Sequence, residues 1–393
     1  MASLGSMQKR GKDVWRFVKS YGFDKEGKPN NIIEAFRGTE QEARVSLVKF
    51  VLEVEKGYFL STDNLTFEDF TKRWFRDYAE KELAPKTVHR YKTILESRVL
   101  PVFGGMRICE IQPAHLMEFY RKLSEEEPTI KGRKSRLSPR TILHHHRVIS
   151  AILSDAVEWQ IIDDNPTKRV KPPRVPEGEI PVYDEDLTQA MLKALADEPL
   201  KYRTIVMLAL ATGLRQGEIF GLEWQDIEFD NELLHVRRVS AYLPGIGIYT
   251  KPPKTKSSKR TIVIPQTVSE ILRQHKAKQN IERLMLGEKW CGSPRLFTTW
   301  EGKPMLPKIM SDWFPRFLRR KKLPHMPFHG LRHLAATYMI AQGSPIRNVA
   351  DRLGHSRVST TLDIYSRSLK KVDREIADKV EEIFKVKPKA KKK

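Results

Sequence analysis

Cysteine is almost missing from this 393-residue chain. Cys109 and Cys291 are the only two. They are too few for a disulfide framework and sit at no zinc-binding spacing, so a reducing, cytoplasmic setting is expected. Long apolar runs are missing as well, and none approaches the roughly 18 residues that a membrane-crossing helix requires. Carboxylates do not cluster at ligand spacing, so neither a two-metal hydrolytic centre nor any other metal or cofactor site is expected. No internal repeat is present. Residues 1–6 are mostly small and lead to a second methionine, Met7. They lack the character of a targeting signal and are set aside from the fold.

What the chain has in excess is positive charge. Lys+Arg 71 against Asp+Glu 49 gives a net charge of +22 and a pI near 9.8. Such an excess implies a polyanionic partner, because phosphates neutralised by lysine and arginine release their counterions. The length allows two or three domains, each with its own core.

An α+β multidomain architecture follows from the patterning. Residues 13–21 alternate as a strand, 24–29 make a turn, and 31–37 form a second strand. Thr39 with Glu42 three positions on is a capping box opening a helix through Ala43, Leu47, Phe50 and Val51. Lysines and arginines interleave with Trp15 and Phe17 on the sheet segment, which predicts a small groove-binding unit over 8–60. Residues 65–172 are expected to be helical throughout, a bundle with helices carrying Phe67, Phe70, Trp74 and Tyr78, then Tyr91, Ile94 and Leu95, then 111–123 and 141–160. Basic residues crowd 131–147 and predict a DNA-facing surface. His144, His145 and His146 are consecutive, about 100° apart on a helix, and cannot converge on one metal. Residues 168–181 hold four prolines and several cations, a semi-extended linker that would let two lobes sit on opposite sides of a duplex. From 180 to 370 the pattern is mixed. Helices are expected at 184–196, 202–211, 267–286, 308–320, 331–342 and 345–353, and strands at 226–229, 233–239 and 260–264. A last helix over 372–384, with Val372, Ile376, Val380 and Ile383 in a stripe, and a lysine tail complete a segment 371–393.

Four stretches in this second half carry one chemistry: an arginine, Arg215, just after a helix-breaking Thr212-Gly213; His329 and Arg332 three apart; His355; and Tyr365. Cleaving a phosphodiester needs a nucleophile, a proton for the departing oxygen and positive charge on the phosphate oxygens. Arginine serves the last need with a planar, permanently charged fork. The spacing places His329 and Arg332 on one helical face, whereas His333 is expected to point elsewhere as a buried core histidine. A phenol, with pKa about 10, is a weak nucleophile but a better leaving group than an alcohol, so a tyrosine ester of phosphate conserves the bond energy.

The segments ATGLRQGEIFGLEW, KTKSSKRTIVIP, HGLRHLAATYMI and LGHSRVSTTLDIYSR, in that order, resemble the catalytic domain of the tyrosine recombinase (phage integrase) family over 180–370. Residues 65–172 are similar to that family's core-binding domain. The first unit resembles the arm-site-binding domain of lambda-type and conjugative-transposon integrases, and all three segments together favour an integrase over two-domain chromosome-dimer resolvases. The resemblance implies that Arg215 and Arg332 hold the non-bridging oxygens, His329 assists proton transfer with the nucleophile, and His355 hydrogen-bonds the phosphate. It implies that Glu218 buttresses the site, Lys254 protonates the leaving 5′ oxygen, and Tyr365 attacks to give a 3′-phosphotyrosyl bond. Lys251, Lys254, Lys256 and Lys259 share one polar hairpin. Spacing alone leaves Lys256 as a competitor, and only the Lys-Thr pair of the family motif selects Lys254. The implied partners are double-stranded DNA at core and arm-type sites and a homo-tetramer on two duplexes, joined through the C-terminal segment. An excisionase or DNA-bending accessory protein is a further implied partner. Two other readings are a type IB topoisomerase-like relaxing enzyme, which the basic amino-terminal domain and the LGH spacing oppose, and a silent DNA-binding accessory protein, which intact Tyr365 and both arginines oppose.

Overall fold

The computed structural model describes residues 5–23, 29–55, 65–125, 129–130, 133–134, 136–176, 183–253, 258–359 and 361–362. Two units divide the chain, residues 1–177 and 178–393. Three of the residues singled out above, Lys254, Lys256 and Tyr365, lie outside the described residues, as does the 372–384 stripe.

The first unit opens with an antiparallel sheet of β1 (Ser6–Gly11), β2 (Val14–Phe23) and β3 (Pro29–Arg37), in the order β1-β2-β3, followed by α1 (Glu40–Glu55). Period-two alternation along β2 sends Trp15, Phe17 and Lys19 to the buried side. Phe17 stacks on Phe36 at 5.8 Å and meets Phe50 of α1 at 5.7 Å. Trp15 and Phe17 are therefore the core of this unit and not an aromatic DNA-contact surface, which corrects the reading of interleaved aromatics. The cation interleaved with them, Arg16, falls on the opposite face. A strand was also overlooked: Ser6 pairs with Val18 and Gln8 with Arg16, so part of the leader set aside above belongs to the sheet. The capping box at Thr39 forms, with Glu42 Oε2 accepting from the Thr39 amide at 2.8 Å and the Thr39 hydroxyl at 2.9 Å.

The remainder of this unit is helical: α2 (Phe67–Trp74), α3 (Glu80–Glu82), α4 (Pro85–Ile94), α5 (Leu100–Phe103), α6 (Pro113–Glu125) and α7 (Pro139–Glu158). Thr66 caps α2, accepting from the Asp69 amide. Single π-turns, 75–79 and 95–99, join α2 to α3 and α4 to α5. The α4 helix starts two residues before Thr87 because Pro85 fits the first helical turn, where no amide partner is required. Phe67, Phe70, Trp74, Leu95, Phe103, Leu116 and Leu153 form the core, and the Trp74 indole donates to Asp155 at 2.5 Å. Helicity is not continuous, since a two-residue ribbon, β4 (Thr129–Ile130) with β5 (Arg133–Lys134), separates α6 from α7. The histidines diverge: His145 Nδ1 lies 2.8 Å from the Thr141 carbonyl, while His146 Nδ1 lies 3.0 Å from the Tyr120 hydroxyl. The expected linker begins in order, for Pro166–Arg169 is a 3-10 turn and Asn165 donates to Ser150 and Ser154 of α7.

The second unit packs α8 (Glu185–Leu195), α9 (Leu200–Thr212), α10 (Gln216–Ile219), α11 (Gln266–Leu286), α12 (Ile309–Arg320), α13 (Gly330–Ala341) and α14 (Ile346–Leu353) with two small sheets. One sheet orders β10 (Arg260–Val263), β7 (Leu233–Val236) and β6 (Ile227–Glu228). The other is the hairpin of β8 (Val239–Leu243) and β9 (Gly247–Lys251). The single strand expected over 233–239 is broken at Arg237 and Arg238, because both turn to the fully buried Asp226. The β8–β9 hairpin was not read from the sequence, its turn lying in a Pro-Gly segment with positive φ at Gly245 and Gly247. Helix α9 is apolar around most of its circumference and runs through the core, with α11 and α13 against it. It ends at Gly213, whose φ of +63° is left-handed. No described helix is long and apolar enough to cross a membrane.

Candidate functional site

Arg215 is the N-cap of α10, and the motif closes on itself there. Glu218 accepts from the Arg215 amide at 3.0 Å and from its Nη1 at 2.9 Å. Gly217 lets β8 lie directly on α10, since a Cβ there would come within 2.9 Å of the Ser240 carbonyl. A second arginine reaches Glu218 from β10: Arg260 Nη2 donates at 3.0 Å to Oε2, the oxygen that also accepts from the Arg215 amide. Arg215 Nη2 donates to the Gly354 carbonyl at 3.0 Å, joining the first motif to the end of α14.

Arg332 comes from the first turn of α13, one turn beyond His329, which caps that helix. Its side chain is buried, with Nη1 donating to the Gly213 carbonyl at 2.6 Å and Nη2 buried without a hydrogen-bond partner. His333 does not turn away into a core. It is half-buried, and its ring stands edge-on to that of His329 at 5.1 Å, as positions four apart on a helix permit. His355 follows the left-handed Gly354, and its Nδ1 lies 2.8 Å from the Thr361 hydroxyl.

A cavity of about 320 Å³ is lined by Arg215, Glu218, Lys251, Pro253, Ser258, Gly354 and Ser356. Pro253 and Ser258 are the residues on either side of 254–257, so both ends of the stretch holding Lys254 and Lys256 border it. Lys251 also lines it. The polar hairpin expected to hold it with Lys254, Lys256 and Lys259 is not a strand pair: Lys251 ends β9, which pairs with β8, whereas β10 begins at Arg260 and pairs with β7.

The electrostatics record a surplus. Two guanidiniums, of Arg215 and Arg260, pair with the buried carboxylate of Glu218, and a third, of Arg332, only feels its charge. Burial alone would push the Glu218 carboxyl up, but Arg260 and then Arg215 outweigh it and hold it below the usual range. Burial, with Arg215 beside it, lowers Arg332 to about 9. Burial also lowers His329 to about 4, helped by His333, Arg332 and Arg215. His355 falls to about 4 for the same reasons, burial first and then Arg332 and Arg215. Both imidazoles are neutral at pH 7. A buried donor with no acceptor and a local excess of positive charge describe a place for an anion with several oxygens. Among the described residues no group of three His, Cys, Asp or Glu is placed to hold a metal ion.

Arg260 is the residue the sequence reading missed. Its signal was present: it stands in phase with the buried Ile262 on β10 and with Ile264 just beyond the strand, and a cation on the apolar face of a strand must have a partner.

The fold is that of enzymes that cleave and rejoin DNA strands. The family model described as "Phage integrase family" matches residues 182–371, and "Phage integrase, N-terminal SAM-like domain" matches 66–124. A "Tyrosine recombinase XerC-like" protein of Caldanaerobacter subterraneus subsp. tengcongensis is 27% identical over 98% of this chain and 100% of its own length. The Tn1549 transposon integrase in complex with transposon right end DNA superposes with a TM-score of 0.64 at 20% identity, covering 79% of this chain and 99% of that one. A lambda integrase tetramer bound to a Holliday junction gives a TM-score of 0.54 at 16% identity, over 89% and 95% of the two chains. The chain belongs to the phage integrase family of tyrosine recombinases.

Proposed function

We propose that this site-specific recombinase cleaves and rejoins DNA by attack of the Tyr365 hydroxyl on a phosphodiester gripped by Arg215 and Arg332. The observation that carries the reading is Arg332: a buried guanidinium with Nη2 unpaired, beside a second arginine, is costly unless a phosphate completes it. The Tyr365 oxygen bonds to phosphorus, the bond from phosphorus to the 5′ oxygen breaks, and the 3′ end stays on the tyrosine. His329, neutral at pH 7, has a lone pair for the tyrosine proton, and His355 donates to a phosphate oxygen. Lys254 supplies the proton that the 5′ oxygen takes up. Glu218 keeps Arg215 in place. Attack by a 5′ hydroxyl from a second duplex reverses the step and releases the tyrosine, so no external energy source is consumed. Thr361, four residues before Tyr365, bonds to His355, which supports the tyrosine's segment reaching this cavity.

The reading extends to the rest of the chain. Residues 8–60 take arm-type sites through the face of the β1–β3 sheet that bears Arg16 and Arg37, and 65–172 grip the core site. The protein integrates and excises a mobile element as a tetramer on two duplexes, linked through 371–393, with an excisionase or DNA-bending protein setting direction. Neither the topoisomerase-like nor the silent accessory reading is favoured, given the family.

The test is a nicked substrate, cut from one of the element's own ends, that loses its 5′ fragment on cleavage and so traps the covalent adduct. Wild-type protein should form the adduct and Tyr365→Phe should not. An adduct formed by the variant removes Tyr365 as nucleophile, and no adduct with wild type removes the enzymatic reading.

A further inference from the structure

We infer that Arg260 is a positioning residue for leaving-group protonation, holding Ser258, the residue that follows the lysine-bearing stretch 254–257, onto the phosphate-binding arginines. The inference rests on the reading of the cavity given above. Arg260 makes three polar contacts in three directions. Its Nη1 donates to the Ser258 carbonyl at 3.1 Å, its Nη2 to Glu218 at 3.0 Å, and its Nε to the Arg352 carbonyl at 2.6 Å. Ser258 is the residue at which the chain leaves 254–257. Glu218 is the carboxylate that holds Arg215. Arg352 lies in the last turn of α14, three residues before His355, and its own guanidinium donates to the carbonyls of Ala211 and Val263. One planar fork therefore fixes Ser258 relative to Arg215 and His355.

Arg260 is not itself a catalytic residue. Its side chain is 8% exposed, and each of its three nitrogens donates to one of these partners. The cavity-lining groups include Ser258, Glu218 and Arg215 but not Arg260. Its effect passes through Ser258, next to the lysine-bearing stretch in the chain, to the proton that the 5′ oxygen must receive. A lysine at 260 keeps the charge yet cannot make contacts in three directions from one plane.

A duplex with sulfur in place of the bridging 5′ oxygen separates this role from a structural one. A thiolate, with a thiol pKa of about 8.5, leaves without a proton, whereas a general acid contributes about 100-fold or more to departure of an alkoxide. Arg260→Ala should form the covalent adduct about 100-fold more slowly than wild type on the oxygen substrate, and at close to the wild-type rate on the sulfur substrate. Arg260→Lys should fall between them on the oxygen substrate and be rescued likewise. The ratio of the two rates does not depend on the fraction of protein folded, and if the alanine variant does not fold the lysine variant supplies it. An equal loss on both substrates, or no loss on either, overturns the inference. Wild-type protein that forms no adduct on either substrate overturns the recombinase reading instead, and so separates the two failures.

Discussion

Arg332 donates Nη1 to the carbonyl of Gly213 at 2.6 Å, so the arginine of the third motif is anchored on the residue that ends the first motif's helix. Gly213 is in the left-handed region at φ +63°, and a Cβ there would stand 2.2 Å from Leu353 Cδ2. Gly213→Ala combines left-handed strain with overpacking and should destabilise the second unit by about 2–4 kcal/mol. Denaturant unfolding measures it, and a midpoint unchanged from wild type would show that the helix end tolerates a side chain.

The other half of the Arg332 fork is unpaired, and function and stability are therefore opposed there. Burial and Arg215 make the charged form unwelcome, which is why its pKa falls to about 9. At neutral pH the folded state still carries that charge, so the charge lowers stability. Arg332→Met should cost about 100- to 1000-fold in adduct formation, as loss of a transition-state donor does. The same variant should melt no lower than wild type, with a gain of about 1 kcal/mol where packing allows. A fall in melting temperature would mean that Arg332 holds the fold and not a phosphate.

His329 and His355 set the pH response of the free protein. Each falls from an ordinary value near 6.5 to about 4 when folded, through burial first and cationic neighbours second. Between those values the unfolded chain binds protons that the folded chain refuses, so stability rises with pH through this window and levels off above it. The double variant His329→Gln, His355→Asn should show a flatter curve between pH 4 and 6.5. A DNA phosphate in the cavity should raise both histidines, so the acid-side limb of cleavage in the complex should not mirror that of unfolding. Melting temperatures from pH 4 to 8 for both proteins test the first statement directly.

How much of this was legible in the sequence depended on whether a residue's role was local. Thr39 and Glu42 are three apart, and their capping box follows from that spacing. Glu218 is equally close to Arg215, but only the family resemblance gave it a role. What escaped was decided at a distance. Trp15 and Phe17 carry the same alternation whether they face DNA or a helix, and only α1 closing over them settles the side. The β8–β9 hairpin was hidden by a turn rich in glycine and proline, and the strand break at Arg237 depends on Asp226, eleven residues earlier. Arg260 meets Glu218 across 42 residues, beyond any local pattern, although its phase with Ile262 pointed inward. His333 is half-buried against His329, where a core position was expected.

The choice between Lys254 and Lys256 has its own experiment. Lys254→Ala should slow adduct formation about 100- to 1000-fold with an oxygen leaving group and recover with sulfur, whereas Lys256→Ala should affect the two substrates alike. The reverse pattern transfers the role of general acid to Lys256.

Arg16 and Arg37 bear on the amino-terminal sheet. Arg37 pairs with Val14, beside Arg16 on β2, on the face turned away from Phe17 and α1. If that face lies on arm-type DNA, Arg16→Ala and Arg37→Ala should each weaken binding and reduce the slope of log affinity against log salt by about one, because each removes one phosphate neutralisation. Neither should change the melting of this unit. Trp15→Ala, in contrast, deletes a core ring whose indole donates to the Gly38 carbonyl at 2.9 Å, and should destabilise the unit by about 3–5 kcal/mol. Fluorescence anisotropy over a salt series, set beside thermal melts of the same variants, separates the two effects. Unchanged salt slopes in both arginine variants would place the DNA contact on another face.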